Sequence, residues 1–352
     1  MREQKEYLVI YHKEDNDGVF SAAIFYDYIV RVLCKDITDI CFIGADYNDL
    51  AKFAKENTVE DLHNDFKHII MTDISFSDPN YMKKLWKEFK YDFIWCDHHA
   101  PIIKASFEKH FDDVPGIRDI NRSAILCVYK YLYDQFDEAY NDHKVPELLR
   151  ILSAWDSWTY EKEGYNFEFV RRINKAVTYK YNLELGKVKE LVSDLIQTYQ
   201  TGESFGIFSG LYKDDPLISK DLFNVGTIIA NVEDQNMENI VKNDGDCTWN
   251  IVLHDEDKGR PLFRETCAIF MQGATSSTMF KSLRNTKIQN GLVFKHKTDG
   301  NWVLSLYNVN DDDWFHCGDF LKERYKGGGH KGAAGCTLTQ EQFIKILKNK
   351  QL

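Results

Sequence analysis

The sequence has no run of about 18 consecutive apolar residues, the length a helix needs to cross a bilayer, so no membrane span is expected. It has no Cys-x-x-Cys pair either. Its eight cysteines stand singly, and Cys41, Cys96 and Cys127 sit in apolar runs, where cysteine serves as a small core residue. That usage argues against a zinc–thiolate site and for a reducing, cytoplasmic setting. No secretory signal is visible, because the charged stretch Met1–Glu6 leads straight into a strand-like run. Positive charge is also short: 44 Lys and Arg against 55 Asp and Glu give a net charge of −11. The basic stripe that grips a long duplex is missing, so long duplex nucleic acid is not an expected partner. Short or small phosphorylated molecules fit this balance better, and bound divalent cations would cancel part of the charge wherever the acids cluster. There is no internal repeat and no low-complexity tract.

What is present is an ordinary globular composition, 43% hydrophobic and 28% charged over 352 residues, enough for two cores. Strand-like runs at 7–11, 39–43, 68–72 and 92–96 alternate with helical patterns from Gly18 to Leu33 and over 79–89. Such alternation predicts an α/β fold with a parallel sheet covered on both faces. Helical spacing continues over 121–137, 145–155 and 183–200. The first domain is expected to end within 200–225, where glycines and Asp214-Asp215-Pro216 interrupt the pattern. Residues 219–242 read as one connecting helix. Beyond about 247, strand-like runs at 248–253, 291–295 and 302–307 mix with helical patterns at 275–284, 317–325 and 339–348, which predicts a smaller α+β domain.

Four places carry acids or histidines at the ends of apolar runs. His12-Lys13-Glu14-Asp15-Asn16-Asp17-Gly18 lies between the first strand and the first helix. Its two acids at i and i+2 can aim carboxylates into one crevice, or simply cap the helix. Asp73 ends the third strand. Asp97-His98-His99 follows the apolar run Phe93–Cys96, and three ionisable groups there are costly to desolvate unless paired or metal-bound. Asp156 stands between Trp155 and Trp158. Near the carboxyl end, Gly327-Gly328-Gly329 precedes His330 and Lys331. Glycines let backbone N–H groups approach an anion closely, and His330 and Lys331 can donate to phosphate oxygens.

Taken in order, these motifs resemble the DHH-type phosphoesterases with an appended DHHA1 domain, and within them the nanoRNase-type oligoribonucleases. The resemblance runs from Tyr7 to about Leu347. It implies a catalytic DHH domain over 1–215, a connecting helix over 216–245 and a DHHA1 substrate-binding domain over 246–352, with the active site in the cleft. It also implies two Mn²⁺ ions, with Mg²⁺ or Co²⁺ as substitutes. His12, Asp15 and Asp73 would hold one ion; Asp17, Asp73, His98 and Asp156 would hold the other, with Asp73 bridging. Asp97, His98 and His99 form the catalytic run, Asp97 acting from behind the ligands. His99, Gly327, Gly328, Gly329, His330 and Lys331 would contact substrate. Two departures stand out. Only Lys13 and Glu14 separate His12 from Asp15, a shorter spacing than most members have, which makes Glu14 a neighbour of the site. The strand Val303–Tyr307 has no arginine, so phosphate contacts would fall to Lys326, Lys331, Arg324 or Arg284.

The implied activity is Mn-dependent hydrolysis of short oligonucleotides or dinucleotides to mononucleotides by a water activated between two metals. A cyclic dinucleotide or phosphoadenosine phosphate is the alternative substrate, and a catalytically silent nucleotide binder the non-enzymatic alternative. A homodimer is left open.

Overall fold

The computed structural model describes residues 4–99, 103, 113–133, 145–201, 216–255, 260–272, 278–310, 314–329 and 331–352. Four apolar runs form β1 (Lys5–His12), β2 (Ile40–Ala45), β3 (Phe66–Thr72) and β4 (Phe93–Cys96). All pairings are parallel, in the order β2-β1-β3-β4. Tyr7, Val9 and Tyr11 enter one apolar core while Leu8 and Ile10 enter another. A strand buried on both faces has no polar alternation to show, which is why β1 reads as a continuous apolar run.

The helices divide between these two faces. In chain order they are α1 (Asn16–Asp27), α2 (Tyr47–Glu56), α3 (Val59–Asp65), α4 (Pro79–Phe89), α5 (Ala124–Tyr133), α6 (Glu147–Asp156), α7 (Phe167–Tyr181) and α8 (Leu185–Thr201). Side chains of α1 and of α5 to α8 pack with Val9 and Ile70, and Leu50, Leu62, Met82 and Leu85 of α2 to α4 pack with Leu8 and Met71. The α/β fold with a parallel first sheet is thus as expected. So are the four strands and the helices over 79–89, 145–155 and 183–200. Helix α5 covers 124–133 of the expected 121–137, and residues 134–137 lie outside the described residues. Helices α2, α3 and α7 were not anticipated. The first two each bury one large side chain, Leu50 or Leu62, and owe their starts to capping boxes, Asp46 with Asp49 and Thr58 with Asp61. So little apolar periodicity is hard to see in sequence.

The chain forms two compact units, Met1–Ile229 and Ala230–Leu352, and helix α9 (Pro216–Asp244) runs through the division. The second unit is a six-stranded mixed sheet of β5 (Asp246–Asp255), β6 (Arg260–Phe270), β7 (Asn290–His296), β8 (Trp302–Asn308), β9 (Gly328–Gly329) and β10 (Ala333–Leu338), in the order β5-β6-β7-β8-β10-β9. Helices α10 (Cys317–Tyr325) and α11 (Gln340–Asn349) bring Phe320, Leu321, Phe343 and Ile346 to one face, around Trp249, Leu292 and Leu304.

Strands β6 and β10 were not anticipated, and one expected helix is absent among the described residues. Strand β6 was missed because Arg264 lies within it. That arginine is buried, bonded to Asn290 Oδ1 and placed over the rings of Trp314 and Phe315. The helix expected over 275–284 is absent from its described part, 278–284, which forms turns and a short 3-10 turn at Lys281–Leu283. Tertiary packing overrides the pattern: the Phe280 ring fills the space beside Gly291, where a Cβ would lie 2.1 Å from the ring. No described helix is long and apolar enough to cross a membrane.

Candidate metal centre

Parallel strands send all their carboxyl ends to one edge, and the order β2-β1-β3-β4 places the change of winding direction between β1 and β3. Open α/β sheets bind ligands at that point. His12 ends β1, Asp15 and Asp17 follow it, Asp73 follows β3, and Asp97-His98-His99 follows β4. Asp156 arrives from the last residue of α6. Gly18 lets α1 start close against the strand it follows: a Cβ at this position would lie 2.1 Å from the His12 carbonyl oxygen. A substituted Gly18 would push Asp15 and Asp17 away from His12.

The side chains converge in two groups. His12 Nδ1 lies 2.9 Å from Asp15 Oδ2 and 3.5 Å from Asp73 Oδ2. His98 Nε2 lies 3.2 Å from Asp156 Oδ2, 3.3 Å from Asp73 Oδ1 and 3.6 Å from Asp17 Oδ2. In each triad, His12–Asp15–Asp73 and Asp17–His98–Asp156, the donor atoms lie within 4.8 Å of one another, as do those of Asp73, His98 and His99. Asp73 contributes one oxygen toward each histidine. Its backbone is left-handed, with φ +57°, a conformation that most residues avoid and that clusters at functional sites.

Hydrogen bonding separates the acids into two kinds. Asp97 is saturated: Oδ1 accepts from the His98 and His99 N–H groups and lies 2.8 Å from His99 Nδ1, while Oδ2 accepts from Trp95 Nε1. Asp97 therefore orients His99 and stands behind the cluster. Asp17 accepts from the Ala124 and Ile125 N–H groups, so it caps α5 while one of its oxygens also meets His98. Asp15 caps α1 by accepting from Gly18 N–H and still reaches His12; the capping and site readings hold together. By contrast both Asp73 oxygens and Asp156 Oδ2 are buried atoms with no hydrogen bond, the nearest ring nitrogens of His12 and His98 lying 3.2–3.5 Å away. Orphaned carboxylate oxygens facing imidazole nitrogens are costly unless a cation satisfies them, and a hard, oxygen- and imidazole-rich donor set suits Mn²⁺ or Mg²⁺ better than thiophilic ions. The residues fit a two-cation site.

The electrostatics agree. Burial, and then the nearby charges of Asp15 and Asp17, push Asp73 well above the usual carboxylate range. Asp156 is pushed up by burial and then by Asp17. Burial alone would lower His12, but Asp15 and Asp73 outweigh it and raise the ring to about 10. His98 is raised in the same sense by Asp17 and Asp156 against its burial. The cluster holds protons because it holds too much negative charge.

The structure brings together His12, Asp15, Asp17, Asp73, His98, His99 and Asp156, with Asp97 behind them. The shortened spacing after His12 does not take it out of the cluster. Glu14 is exposed, 3.9 Å from His12 Nε2. Among the substrate calls, His330 lies outside the described residues. Gly328 and Gly329 form β9 against β10, and Gly327 is packed so closely that a Cβ would meet the Gly335 oxygen at 2.6 Å. Sequence reasoning missed Tyr47, whose ring centroid lies 6.2 Å from that of His12 and 6.3 Å from that of His99. The apolar run Ile40–Ala45 ends at Asp46-Tyr47 as the other site strands end at their motifs, but a tyrosine there carries no ligand chemistry by which sequence could single it out.

No family model matches the chain, and no curated protein does. Among solved structures, 98% of the chain aligns with 97% of the pGpG-specific phosphodiesterase PggH from Vibrio cholerae, at 14% identity and TM-score 0.46. It also aligns over 98% with 98% of an uncharacterized protein from Helicobacter pylori G27, at 15% identity and TM-score 0.41. A third alignment pairs 99% of the chain with 90% of an exonuclease RecJ bound to manganese, at 12% identity and TM-score 0.43. Likenesses this distant assign neither family nor activity to this chain.

Proposed function

We propose that the protein is a metal-dependent phosphoesterase that hydrolyses short oligonucleotides or dinucleotides to mononucleotides. The observation that carries this reading is the pair of triads, His12–Asp15–Asp73 and Asp17–His98–Asp156, joined through the buried and unbonded Asp73 carboxylate. His12, Asp15, Asp17, Asp73, His98 and Asp156 would hold two divalent cations, Mn²⁺ by preference. Such a pair would supply an activated water at neutral pH and electrostatic stabilisation of phosphoryl oxygens.

The chain's own part is positioning. Asp97 fixes the His99 ring through Nδ1, which directs the other ring nitrogen to the substrate phosphate. Asp17 is anchored by two backbone amides of α5, so its ligand oxygen costs little to order on binding. Gly327, Gly328, Gly329, His330 and Lys331 are proposed as further phosphate contacts. The nucleotide substrate class is supported by the order of motifs, which resembles the DHH phosphoesterases, and by an acidic chain without a basic stripe.

The test is hydrolysis of a panel with Mn²⁺ and with EDTA: 5′-labelled di- to pentanucleotides, cyclic dinucleotides, phosphoadenosine phosphate and pyrophosphate. Turnover of the short oligonucleotides that EDTA abolishes is the expected result. Turnover confined to the cyclic dinucleotide or to phosphoadenosine phosphate would replace the substrate, and metal-independent or absent turnover would remove the enzyme reading.

A further inference from the structure

Strand β2 is the one strand of the parallel sheet that supplies none of the cluster's acids or histidines, yet its carboxyl end reaches the same edge. Ala45, its last residue, is in register with His12, and Lys13 N–H donates to the Ala45 carbonyl. The chain then turns at Asp46 into α2, and Tyr47 is the first residue of that helix. Two devices fix this turn. Asp46 and Asp49 form a capping box, and Lys13, next to His12, is paired with Asp49. The chain is thereby tied to the site strand at Ala45, two residues before Tyr47, and at Asp49 in the first turn of the helix that Tyr47 begins, the kind of support a substrate-contacting group needs.

The ring completes a triangle. His12, Tyr47 and His99 have centroids 6.2, 6.3 and 6.5 Å apart, with His99 edge-on to each of the other two rings. His12 is a proposed cation ligand and His99 a proposed phosphate contact, so the third corner lies beside both. Tyr47 remains 41% accessible, somewhat more than the His99 side chain at 35% and well above that of His12 at 13%. Among the described residues no side chain or backbone group bonds its hydroxyl. A phenol is both donor and acceptor, and here it stands at a cluster that gathers five carboxylates, where an incoming phosphoryl oxygen needs donors.

We propose that Tyr47 is a catalytic residue of this centre, its hydroxyl donating a hydrogen bond to a non-bridging oxygen of the substrate's phosphoryl group. This rests on the phosphoesterase reading above, and the experiment keeps the two apart. The variants are Tyr47→Phe, which removes the hydroxyl and keeps the ring, and Tyr47→Leu, which removes the ring as well. Three quantities are measured: kcat/KM on the best substrate of the panel, Mn²⁺ affinity by electron paramagnetic resonance, and the Kd of inorganic phosphate by calorimetry with Mn²⁺ present.

One preorganised donor lost from such a site costs roughly 100–1000-fold in kcat, and so in kcat/KM. Tyr47→Phe is expected to show that loss and to weaken phosphate by about tenfold, with Mn²⁺ affinity unchanged. Tyr47→Leu should do the same or worse. Wild-type kcat/KM and phosphate Kd in Tyr47→Phe overturn the proposal, as does a loss that follows weakened Mn²⁺ binding, which would make Tyr47 packing for His12. If the wild-type protein hydrolyses nothing in the panel, the phosphoesterase reading falls, and the phosphate titration still decides Tyr47. Wild-type protein that takes up no phosphate either overturns both.

Discussion

In the six-stranded sheet Asp246 accepts from the Thr248 N–H and hydroxyl on one oxygen, and from Trp249 Nε1 and Lys350 Nζ on the other. At the edge of the four-stranded sheet Asp73 is buried and neither oxygen has a hydrogen bond. The Lys350 ammonium and the Thr248 donors hold Asp246 well below the usual carboxylate range, whereas burial and its acidic neighbours drive Asp73 well above it. The same side chain is a structural tie in one place and a candidate ligand in the other, and what distinguishes them is the supply of donors. Asp97 shows that this is not simply a matter of lying near the cluster: it is as buried as Asp73 but saturated, and burial's upward pull is outweighed by the His99 hydrogen bond, which holds it low.

The contrast can be broken by substitution. Asp73→Asn should lower turnover by about 1000-fold or more, since two cations contribute several kcal/mol of charge stabilisation, and calorimetry should show Mn²⁺ uptake fall with it. The same variant, measured in EDTA, should melt higher than wild type because like charges are relieved. A lower melting temperature would place Asp73 among the structural acids. Asp97→Asn replaces an acceptor by an amide that cannot serve all its donors, and a loss of roughly 10–100-fold in activity or metal affinity is expected. Its kinetics decide the matter: full activity would mean that His99 needs no such orientation.

The pH dependence sharpens the comparison. An acid or histidine whose pKa is raised on folding contributes stability that is complete below its unfolded value and lost as pH rises through the folded one. Asp73 and His12 are both raised, the latter to about 10 from 6.5. Metal-free protein should therefore lose stability as pH rises above the ordinary carboxylate range, with the His12 share lost between about 6.5 and about 10. Saturating Mn²⁺ should flatten that decline. Melting curves across this range, with EDTA and with Mn²⁺, check it, and identical slopes would show that the cluster is not where the metal binds. The smallest effect is expected of Asp246→Asn: about 1 kcal/mol of stability, because the acid is partly exposed, with turnover unchanged. Urea unfolding and the panel assay measure the two halves of that statement.

Much of the first unit was legible because its strands are buried on both faces, so Tyr7–Tyr11 and Phe93–Cys96 appear as unbroken apolar runs that stop at charged groups. Helices α2 and α3 were not, since each rests on a capping box and one buried leucine. Strand β6 was hidden by a buried arginine that is bonded to Asn290 and lies over the rings of Trp314 and Phe315. Within the site, the residues at 12, 15, 17, 73, 97–99 and 156 pointed to cations only when taken together, in the order that resembles the DHH phosphoesterases; singly, Asp15, Asp17 and Asp73 read as well as helix caps or loop acids. Tyr47 was not among them, because a tyrosine after an apolar run has no chemistry of its own until neighbours are known.

The chemistry-bearing residues and their order along the chain were thus determined by sequence alone. An ionisable group at the end of an apolar strand must be satisfied by something, and that obligation can be read from covalent structure. How each is satisfied was decided only in three dimensions. Asp17 finds the amides of α5, about a hundred residues away, Asp97 finds Trp95 and His99, and Asp73 finds the ring nitrogens of His12 and His98, at 3.5 and 3.3 Å and without a hydrogen bond. Hydrogen bonds depend on distance and direction, and those follow from how the strands and helices pack.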